Sequence, residues 1–288
     1  MDIAKYTCQA YEAAYIYQTL LKDNDDIRFK RVKNATKLIL ALFGLNTDKL
    51  KDFLSENACS EYDNSAKLLE KRLLSEPVNF FLGLDPAQAY VYHSANYSVS
   101  FGYGLNIAEN IDFSGKTIID VGGSSGGLVS GIKSVCENAE LTVYDTEYAC
   151  MVGEDIKQSH GGFEDIEFIK TDMFSPKSCY KKADYYILSN ILHDWDNEDC
   201  KLILANILKY IKPESHILVY EDILYERALG PMECIMYGLR LCINVPGGRQ
   251  RRAREILKLF NEVSDKGFKL HKFYNFGAHS LMVIGRNG

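Results

Sequence analysis

The sequence predicts an α/β protein in which a doubly wound, mostly parallel sheet of seven strands follows a helical N-terminal domain. Residues 1–94 carry apolar residues at helical spacing and contain no convincing strand. From residue 95 to residue 288, and most clearly after Lys116, short apolar strands alternate with helices, which is typical of a parallel sheet covered on both faces. The last two strands are joined by a short turn, which predicts an antiparallel hairpin at the sheet edge.

The N-terminal domain is predicted to consist of amphipathic helices. Gly44 and Asn46 supply a stop signal between two of them. A longer helix is predicted at Gln88–Glu109, although Gly102 and Gly104 lower its helix propensity. The shorter helices before it are predicted at Ala4–Leu21, Ala35–Leu45, Asp48–Leu54 and Ser65–Leu74.

The second domain is predicted to have a Rossmann-like order of strand, helix and strand. Each strand is a short run of branched and aromatic residues, and a few small or polar residues separate it from the next helix. The predicted strands are Thr117–Val121, Leu141–Asp145, Ile166–Lys170, Tyr185–Asn190, His216–Glu221, Phe268–Tyr274 and Ser280–Gly285, and the helices begin near Gly126, Glu147, Asn197, Pro231 and Ala253.

The composition excludes several classes of protein. The chain is 47% hydrophobic and 25% charged with a net charge of −6, so no overall positive field attracts nucleic acid. No apolar run approaches the roughly 20 residues of a membrane span, and the start lacks the pattern of a secretory signal. The eight cysteines form no Cys-x-x-Cys pair and have no histidine at metal-ligand spacing. The sequence therefore predicts a cytoplasmic protein without a metal, a nucleic-acid partner or a membrane partner.

A glycine-rich turn follows the first predicted strand, in Asp120-Val-Gly-Gly-Ser-Ser-Gly-Gly127. Glycines let a ligand approach the backbone without interference from Cβ atoms. The spacing departs from the G-x-G-x-x-G pattern of dinucleotide-binding turns, which argues against a nicotinamide cofactor. Asp120 precedes the first glycine by two residues, and a carboxylate there favours a ligand with a positive charge, such as an amino group or a sulfonium.

Two further aspartates lie at the ends of the next two predicted strands: Asp145 is the last residue of one, and Asp172 follows the other. A carboxylate at the position of Asp145 can hydrogen-bond the ribose hydroxyls of a nucleoside. Asp172 can accept from an exocyclic amino group while Met173 packs on a flat ring. Each aspartate alone is more commonly a turn or helix-cap residue. Three of them at three consecutive strand ends indicate a ligand site.

The segment His193-Asp-Trp195 lies where the fourth predicted strand leads into a helix. In open α/β sheets, ligands bind at the carboxyl ends of the strands. A histidine at this edge can take a proton near neutral pH. An isolated loop histidine more often caps a turn, so the interpretation depends on the acidic strand ends described above.

These segments, in this order, resemble the S-adenosylmethionine-dependent O-methyltransferases of the caffeic-acid and hydroxyindole type. The resemblance extends over roughly residues 88–288, and its most specific part is the His-Asp-Trp segment followed by Gly-Gly-Arg. The matching residues are Asp120-Val-Gly-Gly-Ser-Ser-Gly126, Asp145, Asp172-Met-Phe174, His193-Asp-Trp195, Glu221 and Pro246-Gly-Gly-Arg-Gln-Arg251.

The resemblance implies that S-adenosylmethionine is the cofactor and S-adenosylhomocysteine its product. It implies that His193 takes the proton from the acceptor hydroxyl, that Glu221 helps to orient the imidazole, and that Gln250 lies beside it. Trp195 is expected to pack near the adenine. The other expected cofactor residues are Asp120, Gly122, Gly123, Asp145, Asp172, Met173, Phe174 and Ser189, and the expected acceptor contacts, each of which also fits a core position, are Tyr97, Phe101, Met236 and Tyr237.

Three features depart from the family pattern. Ser124 stands where a third glycine is usual. Gln250 stands where a glutamate is often found, and an amide lacks the charge that would favour an imidazolium. The helical half shows no wing strands of a winged-helix association domain, although the resemblance implies a homodimer formed through these helices.

The cluster Arg249, Arg251, Arg252 and Arg254 is interpreted as a solvated helix face, with an anchor for an acidic substrate group as the alternative. The sequence as a whole predicts methyl transfer to a phenolic hydroxyl of a small aromatic or polyketide-like secondary metabolite. The alternatives are a non-methylating enzyme that keeps the same cofactor, a nicotinamide-dependent oxidoreductase, and a helical interaction module whose sheet domain has lost activity.

Overall fold

A computed structural model describes residues 3–24, 29–74, 84–161, 163–227, 229–245, 247–265, 267–277 and 279–287. Among the described helices, none has the length and apolar character needed to cross a bilayer. The helices are α1 Ile3–Ile16, α2 Lys30–Leu42, α3 Leu50–Glu56, α4 Ser60–Leu74, α5 Pro86–Ala108, α6 Gly127–Val135, α7 Glu147–Ser159, α8 Asn197–Leu208, α9 Met232–Asn244 and α10 Ala253–Glu262. The strands are β1 Thr117–Val121, β2 Glu140–Asp145, β3 Glu167–Lys170, β4 Tyr185–Ser189, β5 His216–Leu224, β6 Arg251–Arg252, β7 Phe268–Phe276 and β8 His279–Arg286.

The chain divides into two compact units whose boundaries differ from the predicted cut after residue 94. The first unit comprises Met1–Leu82, His193–Trp195 and Ile223–Arg252, and the second unit comprises the remaining three segments. Helix α5 belongs to the second unit, and α9 belongs to the first. A boundary read along the chain cannot describe this division, because the first unit is assembled from segments far apart in sequence.

The sheet has the order β3-β2-β1-β4-β5-β8-β7, and β6 pairs with β5 outside this path. Strands β1 to β5 pair in parallel, and β8 pairs antiparallel with both β5 and β7. The seven predicted strands and the closing hairpin are confirmed. The two-residue strand β6 was not predicted, since two arginines carry no strand pattern.

The register of the parallel strands brings the predicted strand ends to one edge of the sheet. Val121 at the end of β1 lies opposite Tyr144 of β2, and Asp145 lies opposite Lys170 of β3. The middle strands are buried on both faces, as expected for strands covered by helices. Side chains that follow β1, β2 and β3 therefore start from neighbouring points of the second unit.

Helix α5 continues through both glycines that lower its helix propensity. It begins two residues earlier than predicted because Asp85 and Gln88 form a capping box with Pro86 in the first turn. A Cβ at Gly104 would lie 2.0 Å from the carbonyl oxygen of Leu128, so the backbones of α5 and α6 touch there. Close packing of the two helices therefore explains why residue 104 is a glycine, although the sequence alone indicates only that this glycine lowers the helix propensity of α5.

The first unit has its own apolar core, formed where α1, α2 and α4 pack with α9. Buried members include Ala13, Ile39, Leu69 and Leu239. In the described parts of the segment 3–74, namely 3–24 and 29–74, the backbone is helical with short connections. The predicted helical N-terminal region is therefore confirmed for these residues, and its core is completed by α9 from the later part of the chain.

Candidate active site

The glycine-rich turn connects β1 to α6 in a conformation that needs glycine at several positions. Gly122 and Gly126 have φ angles of +73° and +80°, which L side chains rarely adopt. Ser124 also has a positive φ, +54°, which explains why a glycine would suit this position. The serine has a compensating contact, since its hydroxyl oxygen lies 2.6 Å from His93 Nδ1. The departure at Ser124 therefore adds a side-chain contact between the turn and α5.

Asp145 holds this turn from the end of β2. Its carboxylate accepts hydrogen bonds from the backbone N–H groups of Ser124, at 2.7 Å, and Thr146, at 2.6 Å. The contact between β2 and the turn was predictable, because β1 and β2 are parallel neighbours. An ionised carboxylate accepts about four hydrogen bonds, so Asp145 retains acceptor capacity for the hydroxyls of a ligand.

Asp120 is a buried carboxyl at the end of β1. It is 1% exposed, and neither carboxyl oxygen has a hydrogen-bond partner among the described residues. Burial, with the nearby charge of Asp145 as a second cause, raises the pKa of Asp120 to about 8. A Cβ at Gly123 would lie 2.5 Å from Asp120 Oδ2, so the glycine turn covers the carboxyl closely. A cation brought to this site would satisfy the carboxyl and favour its ionised form.

The raised pKa predicts that the ligand-free protein loses stability as the pH rises. The folded protein binds a proton at Asp120 up to about pH 8, whereas the unfolded chain releases it near the ordinary value of 3.8. This contribution is complete below the unfolded pKa and is lost as the pH rises through the folded pKa. We expect Asp120→Asn to flatten the decline between about pH 5 and pH 8, measured by urea unfolding without cofactor. An equal decline in the variant and in an exposed control, Asp155→Asn, would contradict the prediction.

The segment after β3 is arranged by its own hydrogen bonds. The Asp172 carboxylate accepts from the backbone N–H of Phe174 at 3.0 Å, and the Met173 carbonyl accepts from the Asn206 side chain at 3.0 Å. Asp172 therefore acts as a turn residue in this structure and remains exposed. Ser189, the last residue of β4, is partly buried and lies opposite Tyr220 of β5. The proposed cofactor contacts of these residues stay predictions.

The His-Asp-Trp segment forms a buried turn in the first unit. His193, Asp194 and Trp195 are each less than a tenth exposed, and His193 Nε2 lies 3.5 Å from Asp194 Oδ1. Two hydrogen bonds hold the turn from the segment before α10. The backbone N–H of Arg249 donates to the His193 carbonyl at 2.8 Å, and the Arg251 guanidinium donates to the Trp195 carbonyl at 2.7 Å. The backbone that carries the imidazole is therefore held in place.

The arginine cluster does not form one solvated helix face. Helix α10 begins only at Ala253, so three of the four arginines precede it. Arg251 is 1% exposed, because its guanidinium donates a hydrogen bond to the Trp195 carbonyl and its backbone pairs with Ile223 of β5. Arg252 donates to the Tyr225 carbonyl at 2.9 Å. Of the cluster, Arg254 alone among these described residues matches the predicted exposed helical position.

The four predicted acceptor residues fall in different surroundings. In the first unit, Met236 is buried in the helical core, whereas Tyr237 is 44% exposed and its ring centroid lies 6.0 Å from that of His193. In the second unit, Tyr97 and Phe101 lie on α5, with ring centroids 6.4 Å apart. A Cβ at Gly127 would lie 2.3 Å from the Tyr97 carbonyl oxygen, which places Tyr97 beside the start of α6. Of the two predicted acceptor residues in the first unit, Tyr237 therefore has its ring near His193, and Met236 belongs to the core.

Glu221 and Gln250, the two residues predicted to assist His193, are both buried. Glu221 lies on β5 in the second unit, opposite Ser280 of β8. Gln250 lies in the first unit, and its Cγ is 3.4 Å from the Cβ position of Gly238 on α9. Their roles towards His193 stay predictions.

His93 is a buried histidine that sequence reasoning missed. Its Nδ1 meets Ser124, and its carbonyl accepts from the Ser125 hydroxyl at 2.7 Å. Burial lowers the pKa of His93, and the Asp145 charge acts in the opposite direction. One feature of the sequence could have indicated that His93 is buried: it lies four residues after Ala89, on the same buried side of α5. His93 therefore supports the same turn that Asp145 holds.

A family model described as an O-methyltransferase domain matches residues 82–269, which is more than half of the chain. Acetylserotonin O-methyltransferase of Gallus gallus is 31% identical over 184 residues, covering 64% of this chain and 51% of that protein. The chain thus spans about half the length of that curated relative.

Two solved structures share the fold over nearly the whole chain. An O-methyltransferase family 2 protein from Planctomyces limnophilus, in complex with apigenin, aligns with a TM-score of 0.76 at 16% identity and covers 100% of this chain and 97% of that chain. Human N-acetylserotonin methyltransferase, in complex with S-adenosylmethionine, aligns with a TM-score of 0.66 at 20% identity and covers 99% of this chain and 94% of that chain. At these identities the likeness establishes the fold alone.

Proposed function

The chain belongs to the O-methyltransferase domain family, and from that premise we propose that it transfers a methyl group from S-adenosylmethionine to a hydroxyl. The proposed acceptor is a small aromatic or polyketide-like secondary metabolite, and the hydroxyl is phenolic. The observation that carries the proposal is the buried Asp120 carboxyl beside Asp145 at the glycine turn. A cationic nucleoside would favour the ionised form of this carboxyl and be held by it, whereas a diphosphate would gain nothing from it.

Most of the proposed cofactor residues belong to the second unit, and their chemistry suits this cofactor. Gly122 lacks the Cβ that would collide with Ile191, at 2.4 Å, and so keeps the turn compact. Asp120 would neutralise the positive charge of the ligand, and Asp145 would accept from its ribose hydroxyls. When bound, S-adenosylmethionine supplies a methyl group on a positively charged sulfur, with a neutral thioether as the leaving group. We assign the further cofactor contacts to Gly123, Asp172, Met173, Phe174 and Ser189, and the packing against the adenine to Trp195.

His193 is the proposed general base of the reaction. A hydroxyl is a weak nucleophile until its proton is removed, and a positioned base contributes about 10²–10⁴-fold to the rate. Alignment of the reactants contributes roughly 7–11 kcal/mol in favourable cases, and the two hydrogen bonds that the His193 and Trp195 carbonyls accept support such alignment. We propose that Glu221 and Gln250 assist the imidazole, and that Tyr97, Phe101, Met236 and Tyr237 belong to the acceptor side.

The nature of the relatives supports a phenolic acceptor. One matched relative is named for acetylserotonin, and one solved structure is in complex with apigenin. Each compound is associated with that protein and is not assigned to this chain. The acceptor of this chain is therefore proposed by class.

Thermal unfolding with S-adenosylmethionine, S-adenosylhomocysteine and NAD tests the cofactor. We expect both S-adenosyl compounds to raise the Tm and NAD to leave it unchanged, because only a ligand that binds the folded state stabilises it. Stabilisation by NAD alone would refute the proposal. Mass spectrometry of a phenol panel then measures the gain of one methyl group. Stabilisation by S-adenosylmethionine without any methyl gain would favour a non-methylating reaction.

We further propose a cytoplasmic homodimer that associates through the N-terminal helices. Leu68 and Leu74 on α4 are 53% and 60% exposed, which supports an association surface in the first unit. None of the described cysteines takes part in a disulfide, which supports a reducing compartment. Light scattering after size-exclusion chromatography should give the mass of two chains, and a monomer mass at micromolar concentration would contradict this proposal.

A further inference from the structure

Gln250 carries a buried amide group that makes no hydrogen bond to any residue the structure describes. The residue is 6% exposed, and among the described residues neither its amide nitrogen nor its amide oxygen has a hydrogen-bond partner. An amide carries two N–H donors and one oxygen acceptor. Leaving both kinds of group unpaired in the interior destabilises the folded state. Such a side chain indicates a ligand that supplies the missing partners.

The backbone around Gln250 is held on both sides. The preceding residue, Arg249, donates its backbone N–H to the His193 carbonyl, and the following residue, Arg251, donates to the Trp195 carbonyl. Both of these carbonyls belong to the turn that contains the proposed base. The backbone of Gln250 is therefore held next to the His193 turn within the first unit, which lowers the entropy lost when a ligand binds its side chain.

Helix α9 supplies the other side of this environment. The Gln250 side chain packs over Gly238, with its Cγ 3.4 Å from the Cβ position of that glycine. The neighbouring residue on the helix is Tyr237, whose ring lies near His193. The unpartnered amide, the base and a partly exposed aromatic ring thus share one region of the first unit.

We propose that Gln250 is a specificity-determining residue that binds the acceptor through both its amide oxygen and its amide nitrogen, and that it assists His193 in this way, by positioning the acceptor hydroxyl. The acceptor class is a neutral aromatic compound with a hydrogen-bond donor and a hydrogen-bond acceptor side by side, next to the hydroxyl that is methylated. A carboxylate in that place offers acceptors only, so the Gln250 oxygen would stay unpaired. This inference rests on the proposed function, because it names the acceptor of the same reaction.

The test uses Gln250→Met, which keeps the length of the side chain and removes the amide. Without any ligand, we expect its Tm to rise by about 2–4 °C, because an unpaired buried amide is replaced by an apolar group. The matched control is Gln158→Met at an exposed position of α7, whose Tm should change by less than about 1 °C. A lower Tm for Gln250→Met would show that the amide is already satisfied, and would overturn the proposal.

The second measurement compares salicylamide with salicylate. The two compounds have the same shape, but salicylamide carries a neutral amide where salicylate carries a carboxylate. By calorimetry with saturating S-adenosylhomocysteine, we expect the wild type to bind salicylamide roughly 10–100-fold more tightly, and Gln250→Met to lose this preference. An unchanged preference in the variant, or no binding of salicylamide by the wild type at millimolar concentration, would overturn the assignment. Failure of the proposed function would give a different result, because S-adenosylhomocysteine would then not stabilise the protein. The Tm of the ligand-free Gln250→Met variant would still show whether the amide is unpaired.

Discussion

Replacement of His193 by alanine should reduce methyl transfer by about 10²–10⁴-fold, which is the range attributed to a positioned general base. The imidazole sits in a buried turn, and hydrogen bonds from the Arg249 backbone N–H and the Arg251 guanidinium to carbonyls of that turn hold it in place. Removal of the ring leaves these hydrogen bonds intact, so the fold and the cofactor affinity should change little. Single-turnover rates with a phenol from the panel measure the chemical step, and thermal shift with S-adenosylmethionine measures cofactor binding.

An exposed histidine on β7 provides the control for this experiment. His271→Ala removes the same ring from a position remote from the His-Asp-Trp turn in sequence, and its rate should match the wild type. A His193→Ala rate within about twofold of the wild type would exclude His193 as the base. Loss of cofactor stabilisation in the variant would instead assign His193 to binding.

Replacement of Gly104 by alanine should destabilise the protein by about 2 kcal/mol or more, in the upper range of overpacked core substitutions. The new Cβ would lie 2.0 Å from the Leu128 carbonyl oxygen and 3.0 Å from Gly131 Cα, both of which belong to the backbone of α6. Backbone atoms cannot rotate away as a side chain can. The two helices must therefore separate. Helix α6 is the helix into which the glycine-rich turn leads, so its displacement affects that turn.

Gly102 on the same helix gives a matched comparison, because a Cβ there has nothing within 4 Å. Gly102→Ala should stabilise the protein by roughly 0.5–1 kcal/mol through the lower backbone entropy of alanine in a helix. Urea unfolding measures both variants. We also expect Gly104→Ala to weaken binding of S-adenosylmethionine, and equal stability of the two variants would refute this account of α5 and α6.

The strands and the acidic strand ends were predictable because their signals are local. Alternation of apolar strands with periodic helices determines which segments lie side by side in a doubly wound sheet. Once β1 and β2 are known to be parallel neighbours, Asp145 must lie close to the glycine turn, and its hydrogen bond to the Ser124 backbone follows. The same reasoning placed His193 after β4, in the short turn where the structure has it.

The positions of the buried polar groups were not predictable in this way. The sequence pattern predicts that Arg251 is one of four exposed arginines. It is in fact buried, and its guanidinium donates to the Trp195 carbonyl, 56 residues away in the chain. Met236 and Tyr237 are neighbours on one amphipathic helix, and only packing with the N-terminal helices decides that Met236 belongs to the core. Gly104 reads as a weak point of a helix and is in fact a contact between two helices.

The sequence by itself determined the fold class, the strand ends, the glycine turn and the identity of the acids that surround it. The tertiary structure decided which of these groups are buried and which are paired. It raised the pKa of Asp120 to about 8, placed Arg251 against the His-Asp-Trp turn, and left the Gln250 amide without a described partner. Periodicity is a property of neighbouring residues, whereas the charge state and the pairing of a buried group depend on atoms that the fold brings from distant parts of the chain.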